Sequence, residues 1–309
     1  APDGSVDGRL AVAAVQGGGP RGVRAVARHP GPVFDRHVDA MTDVRLPVDL
    51  VLWPEDVVDV ERPVAETPEG RRLSELARSL GATLVAGVVE DVEGDRFRNA
   101  AVAWGPEGTI VDRYDKVHRV PFGEYVPVRS LFERLADLSA VPRDAIAGRG
   151  PAVLDTPAGR LGVVISYEVF FADRARDAVR AGGRVLLVPT NASSYRDAQI
   201  PAQEVAVARL RAVETGRWVV QAAPTGYSAI IDERGRVRGQ GGLGGAEVLQ
   251  ARVDLRTGRT PFVALGSPPF LLAALLVLTA CAIKLESLRS RFVDRSNRQV
   301  VEYRPDSDV

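Results

Sequence analysis

The stretch Leu161-Gly162-Val163-Val164-Ile165-Ser166-Tyr167-Glu168 is an apolar, β-branched run that stops at a hydroxyl, with a carboxylate two residues on. A strand buried on both faces of a parallel sheet reads this way, and open α/β sheets gather their chemistry at the carboxyl ends of their strands. Ser166 therefore stands where a reacting residue stands. A serine nucleophile ordinarily has a histidine as its base, whereas the charges at comparable strand ends of this chain are glutamate and lysine.

Strand and helix signals alternate on both sides of this stretch. Before it come strands at Leu10–Gln16, Val48–Trp53, Ala82–Val89, Asn99–Trp104 and Thr109–Tyr114, with helical spacing over Phe34–Arg45 and Gly70–Leu80. After it the rhythm repeats: helix Ala172–Ala181, strand Val185–Pro189, helix Ala198–Thr215, strand Trp218–Ala222 and a hairpin from Ser228 to Val237. Alternation of this kind predicts layered α/β architecture.

Composition narrows the function classes. The chain has 309 residues, 45% hydrophobic, enough for a large core. Lys+Arg and Asp+Glu are both 40, so nothing steers it toward nucleic acid. A single Cys281 rules out a disulfide framework, and with only His29, His37 and His118 a His/Cys metal cage is not expected. Beginning at Ala-Pro-Asp-Gly, the sequence reads as a fragment of a longer protein.

Three side chains interrupt the ends of apolar runs: Glu55 after Leu50-Val-Leu-Trp-Pro54, Lys116 after Val111-Asp-Arg-Tyr-Asp115, and Ser166. If their strands lie side by side, the three meet in one cleft. There the carboxylate takes the nucleophile's proton and the ammonium stabilises an oxyanion. By spacing alone the signal is weak, and the stronger reading is of solvated loop charges and a satisfied strand-end hydroxyl.

Local sequence tips that balance. Leu52-Trp-Pro-Glu55, the block Tyr114-Asp-Lys-Val-His-Arg-Val-Pro-Phe-Gly-Glu-Tyr-Val-Pro127 and Gly162-Val-Val-Ile-Ser-Tyr-Glu168 resemble the motif blocks of the carbon–nitrogen hydrolase (nitrilase) superfamily. Val120-Pro-Phe-Gly-Glu-Tyr-Val-Pro127 resembles its apolipoprotein N-acyltransferase branch, and the likeness runs from about Leu10 to Val253. It implies an αββα sandwich and a Glu-Lys-Cys triad, which falls on Glu55, Lys116 and Ser166. On that likeness Glu55 is the general base, and Lys116 with the backbone N–H of Tyr167 holds the oxyanion. The family's further glutamates fall on Glu124 and Glu168, both orienting Lys116; as plain ion-pair partners of Lys116 they read much the same. No cofactor and no metal are implied.

Two positions depart from the family's pattern. Ser166 stands where the pattern has cysteine. A thiol of pKa about 8.5 yields its proton readily to a carboxylate, and a serine hydroxyl does not, so acyl transfer is expected to be slowed or absent. Either an engineered Cys→Ser change or a naturally divergent homologue explains it, and the intact surrounding block favours the first. Pro189-Thr-Asn-Ala-Ser-Ser-Tyr195 also differs from its relatives, and its Asn191-Ala-Ser193 sequon is read as coincidental.

Between Arg259 and Lys284 lie 24 uncharged residues, enough for a helix of roughly 36 Å. Pro268-Pro269 divides them and leaves Phe270–Ile283, 14 residues that also suit a buried core helix. Lys284, Arg289, Arg291, Arg295, Arg298 and Arg304 follow, which predicts a cytoplasmic tail and a catalytic domain on the outer face of a bacterial plasma membrane. The expected order is a linker or disordered start at 1–8, a catalytic domain at 9–256, a transmembrane helix at 260–284 and a basic tail at 285–309. The resemblance implies a phospholipid acyl donor and a diacylglyceryl lipoprotein acceptor. A superfamily amidase using water, or a non-catalytic homologue that binds lipid or lipoprotein, stays open as an alternative.

Overall fold

The computed structural model describes residues 4–20, 31–92, 94, 96–132, 137–138, 141–194 and 199–301, with side chains of the last helix described to residue 286. His29, Tyr195, Ala198 and Arg304 lie outside the described residues, as do the side chains of Arg289, Arg291, Arg295 and Arg298. The chain divides into one unit at Ala1–Ala264 and a second at Leu265–Val309.

Strands of the first unit, in chain order, are β1 (Val6–Gln16), β2 (Leu50–Leu52), β3 (Val58–Val60), β4 (Thr83–Val92), β5 (Arg96–Trp104), β6 (Ile110–Asp115) and β7 (Asp144–Ala145). There follow β8 (Val153–Thr156), β9 (Gly159–Val163), β10 (Leu186–Pro189), β11 (Val219–Ala222), β12 (Ala229–Ile231), β13 (Val237–Gln240) and β14 (Glu247–Arg256). Its helices are α1 (Gly31–Ala40), α2 (Pro68–Leu80), α3 (Arg129–Phe132), α4 (Ala172–Arg180), α5 (Gln199–Thr215) and, at its end, α6 (Pro261–Leu265). One sheet runs β14-β1-β2-β4-β5-β6, with β3 beside β4 and β7 beside β5; the other runs β13-β12-β11-β10-β9-β8.

Alternation along the strands sorts their side chains into two layers. Leu10, Val12 and Ala14 of β1 and Leu50 and Leu52 of β2 share one buried cluster with Val163, Leu187 and Val219 of the second sheet. Ala13, Val15, Val51 and Trp53 belong to another, with Phe34 of α1 and Leu73, Leu76 and Ala77 of α2. On the far side Ala175 and Ala178 of α4 and Val205, Ala208 and Ala212 of α5 join the first cluster. The result is the αββα sandwich, and strands covered on both faces read as near-continuous apolar runs.

Local chemistry fixes the elements. In α2, Thr67 accepts a hydrogen bond from the Gly70 N–H at 3.1 Å, Pro68 opens the first turn, and Gly81 closes the helix in the left-handed conformation at φ 59°. His37, buried in α1, accepts from the Gly17 N–H at 3.1 Å.

The structure departs from the sequence reading at three places. The start read as linker or disorder at 1–8 already contains β1, where Val6 pairs with Arg256. β14 itself was not anticipated. It is an edge strand whose Gln250 and Arg252 are exposed while Val253 and Leu255 are buried, so its apolar signal is halved. Pro268-Pro269 does not divide the C-terminal segment: in the second unit both prolines sit in the first turn of α7 (Pro268–Val301), where their missing N–H groups cost nothing. That helix starts eight residues after 260 and runs on through the stretch read as a tail. Within it Pro268–Glu286 is long and apolar enough to cross a membrane, and its side chains are exposed.

Candidate active site

Glu55 follows β2 and is held by its backbone neighbours. The Trp53 N–H donates to the Val85 carbonyl at 2.8 Å and the Gly87 N–H to the Pro54 carbonyl at 3.1 Å. A Cβ at position 87 would fall 2.4 Å from the Glu55 Cα, so only glycine lets the two strands approach this closely. Lys116 follows β6, its N–H donating to the Asn99 carbonyl at 2.9 Å. Both side chains are buried.

The lysine joins two carboxylates. Lys116 Nζ donates to Glu55 Oε1 at 2.8 Å and to Glu124 Oε1 at 2.7 Å. Asn99 Nδ2 donates to the same two oxygens, at 2.9 and 3.0 Å. Burial alone would lower the Lys116 pKa, but the two carboxylates outweigh it and hold the ammonium charged, above the ordinary lysine range. Burial pushes the Glu55 carboxyl upward against the pull of Lys116, and the charge of Glu124 adds to the rise. Glu124 also accepts from the Val120 N–H at 2.8 Å and lines, with Asp56, Phe97, Asn191, Ser193 and Thr225, a cavity of about 450 Å³.

Ser166 comes from the opposite sheet, and its hydrogen-bond partner Glu204 feels the charges of Glu55 and Lys116. Glu55 and Lys116 come from β2 and β6, which are not neighbours, and Ser166 follows β9 in the other sheet. The three strands therefore do not lie side by side as expected; the facing of two sheets replaces their adjacency. Nor is Ser166 a strand-end residue. β9 stops at Val163, and Ser166 opens a short 3-10 helix, Ser166–Phe170, at φ 46°. A non-glycine residue at this angle is strained, a conformation that gathers at functional sites.

Glu168 does not contact Lys116 as expected. Its Oε1 accepts from the Val117 N–H at 2.8 Å and the His118 N–H at 3.1 Å, and its Oε2 from the Ile165 N–H at 2.9 Å. The Tyr114 hydroxyl donates to Oε1 at 2.8 Å, and Arg174 Nη2 donates in turn to that hydroxyl at 2.7 Å. One buried carboxylate thus ties the backbone just after Lys116 to the backbone just before Ser166. Tyr167 packs edge-on against Phe171, ring centroids 5.0 Å apart.

Sequence reasoning missed Glu204. This α5 residue is 3% exposed and accepts from Thr190 Oγ1 at 2.6 Å and from Ser166 Oγ at 3.5 Å. Burial raises its carboxyl to about 7, with the Glu55 charge adding and the Thr190 bond and Lys116 opposing. A readable signal existed: Glu204 is in phase, at i+4 and i+8, with the buried Ala208 and Ala212. Asn99 carries no sequence signal beyond its place at the start of a strand. The sequon Asn191 turns inward on its own loop, accepting from the Ser193 N–H at 3.0 Å and hydroxyl at 2.6 Å.

The chain is 37% identical over 220 residues to the apolipoprotein N-acyltransferase of Geobacter metallireducens, covering 69% of this chain and 42% of the relative. It is 30% identical over 311 residues to that of Mycolicibacterium smegmatis, covering 95% and 51%. The chain thus spans about half the length of these curated relatives. Among solved structures, Saccharomyces cerevisiae Nit3, of the nitrilase superfamily, aligns with a TM-score of 0.58 at 23% identity, covering 81% of this chain and 91% of Nit3. An amidase from Nesterenkonia aligns at 0.57 and 22%, covering 80% and 90%; both likenesses concern the fold. Residues 11–260, well over half of the sequence, match the family described as Carbon-nitrogen hydrolase, and the chain belongs to that family.

Proposed function

We propose that this chain is the acyl-transferring part of a membrane-bound lipoprotein N-acyltransferase, with Glu55, Lys116 and Ser166 as its catalytic residues. In this reading Ser166 attacks the ester carbonyl of a phospholipid and forms an acyl-serine ester, releasing a lysophospholipid. The free α-amino group of a diacylglyceryl-cysteine lipoprotein then attacks that ester and leaves as the amide. Lys116 and the Tyr167 N–H, in the first turn of a helix where N–H groups lack internal acceptors, face the oxyanion. Glu55 is the proton-accepting carboxylate of the cluster, while Glu124 and Glu168 position Lys116 and the nucleophile loop. α7 anchors the domain beside its lipid substrate, with the domain on the outer face of a bacterial plasma membrane.

The observation that carries this reading is the Lys116 ammonium shared by Glu55 Oε1 and Glu124 Oε1, a charge arrangement with no structural need at the edge of a cavity. The apolar α7 and the likeness to apolipoprotein N-acyltransferases favour an amine on a lipoprotein over water as acceptor. The test is the full chain in vesicles whose phospholipid carries a labelled acyl chain, supplied with a diacylglyceryl-cysteine peptide. N-acylated peptide and lysophospholipid are expected in equal amounts, with acyl-Ser166 recovered when the peptide is omitted. Free fatty acid without acylated peptide would replace this reading by that of an amidase. No acyl group on Ser166 would end it.

A further inference from the structure

We propose that Glu204 is a catalytic residue of this chain: the carboxylate that takes the Ser166 hydroxyl proton as Ser166 attacks the acyl donor. The inference rests on Ser166 being the nucleophile, as proposed above, and differs in where its proton goes.

Among the described residues the Ser166 hydroxyl has one hydrogen-bond partner, Glu204 Oε1 at 3.5 Å. Glu55 Oε1 is engaged by Lys116 and Asn99, and no hydrogen bond links Glu55 to Ser166. Thr190, at the end of β10, fixes the Glu204 carboxylate by donating to Oε1 at 2.6 Å. The other oxygen, Oε2, is buried and has no partner. A buried carboxylate without a cation bonded to it is costly, and its place on the apolar face of α5 would suit an alanine or leucine. Such a cost persists where the group has work to do. Contacts of this length in a resting enzyme shorten when substrate binds.

The assignment also accounts for the hydroxyl itself. A thiol ionises readily beside the Lys116 cluster, whereas a hydroxyl needs a dedicated base. Glu204 provides one, as natural divergence at position 166 requires and an engineered Cys→Ser change does not. A carboxyl raised to about 7 can both accept and return a proton near neutral pH. In the first half-reaction the Oγ–H proton passes to Glu204 while the Oγ–C bond forms. Collapse of the tetrahedral oxyanion breaks the bond to the glycerol oxygen, and Glu204 hands that oxygen the proton. In the second half-reaction Glu55 takes the extra proton of the acceptor's ammonium form, the amine nitrogen bonds the acyl carbon, the Oγ–C bond breaks, and Glu204 passes the proton that the nitrogen then loses to Oγ. No co-reactant is needed.

The test uses the full chain and an alkyl fluorophosphonate, which labels activated serines and contains neither phospholipid nor lipoprotein. The labelling rate at Ser166, followed by mass spectrometry, is expected to rise through an apparent pKa near 7. Glu204→Gln is expected to label roughly 100-fold more slowly, without that inflection. In the Ser166→Cys background, alkylation by iodoacetamide is expected to change by less than about threefold on adding Glu204→Gln, because a thiol has its own acidity. Where Glu204→Gln does not fold, Thr190→Val loosens the same carboxylate and is expected to slow labelling roughly tenfold. Unchanged labelling in these serine variants overturns the proposal, as does equal loss in the cysteine background or no labelling of the unaltered chain. Normal Glu204-dependent labelling with no lipid transfer would instead overturn only the proposed function.

Discussion

Two buried carboxylate clusters lie close in sequence and do opposite things. In the first, Glu55 and Glu124 accept at Oε1 from the side chains of Lys116 and Asn99, with one backbone N–H, that of Val120, on Glu124 Oε2, and the cluster opens onto a cavity through Glu124. In the second, Glu168 is fully buried and accepts chiefly from backbone N–H groups of Val117, His118 and Ile165. A carboxylate satisfied by backbone fixes where loops run. One satisfied by a lysine ammonium keeps a buried charge beside the cavity. Glutamates of the three motif blocks are thus separated by the identity of their donors, which sequence alone does not give.

The largest break in this contrast is Lys116→Met, which strands Glu55 and Glu124 without their cation. Unpairing a buried charge costs about 3–5 kcal/mol, and denaturant titration should show a loss of that size. Because burial already raises the Glu55 carboxyl, protonation should shrink the loss as pH falls. A midpoint unchanged at neutral pH would mean that the charge is not needed there. Glu168→Gln comes next. An amide oxygen cannot accept from Val117, His118, Ile165 and Tyr114 together, and about 2–3 kcal/mol should be lost, with protease sensitivity appearing at 117–120. Cleavage elsewhere would refute the loop-tying role.

Glu204→Gln sharpens the contrast through pH. The native carboxyl holds its proton up to about 7, against an ordinary 4.5, so the folded chain binds a proton that the unfolded chain has released. Its contribution therefore favours folding at low pH and is lost as pH rises through that window, at about 1.4 kcal/mol per pH unit. His37 acts in the opposite sense. Held neutral down to about 4 by burial against an ordinary 6.5, it costs stability as pH falls from 6.5. Between about 4.5 and 6.5 the two oppose each other, and Glu204→Gln should expose a steeper rise of stability with pH in melting experiments. An unchanged slope would show that Glu204 titrates normally. The smallest effect is expected of Thr190→Val, about 1 kcal/mol for one lost hydrogen bond, read from the same melts.

What could be read in advance follows from how local each signal is. α2 carries its own punctuation in Thr67, Pro68 and Gly81, and the buried strands carry continuous apolar runs, so the layered class was legible. β14 was not, because half its side chains face outward. Glu55, Lys116 and Glu124 stood out as charges in ordered motif blocks. Asn99 and Glu204 did not, since each gains its meaning from a partner 44 or 38 residues away, Glu55 and Ser166 respectively. The expected side-by-side strands failed for a related reason. Period and burial tell that a strand is internal, and not which of two facing sheets it joins.

The backbone at Ser166 has a consequence for how this domain can evolve or be engineered. A φ of 46° costs a side-chain-bearing residue about 1–2 kcal/mol relative to an ordinary conformation, and glycine escapes it. Glycine's extra freedom in the unfolded chain offsets about 0.5–1 kcal/mol of that relief. Selection for thermal robustness alone would therefore drift toward losing the hydroxyl proposed as the nucleophile. Screens that sort variants of this domain by folding, and not by turnover, will enrich its silent forms.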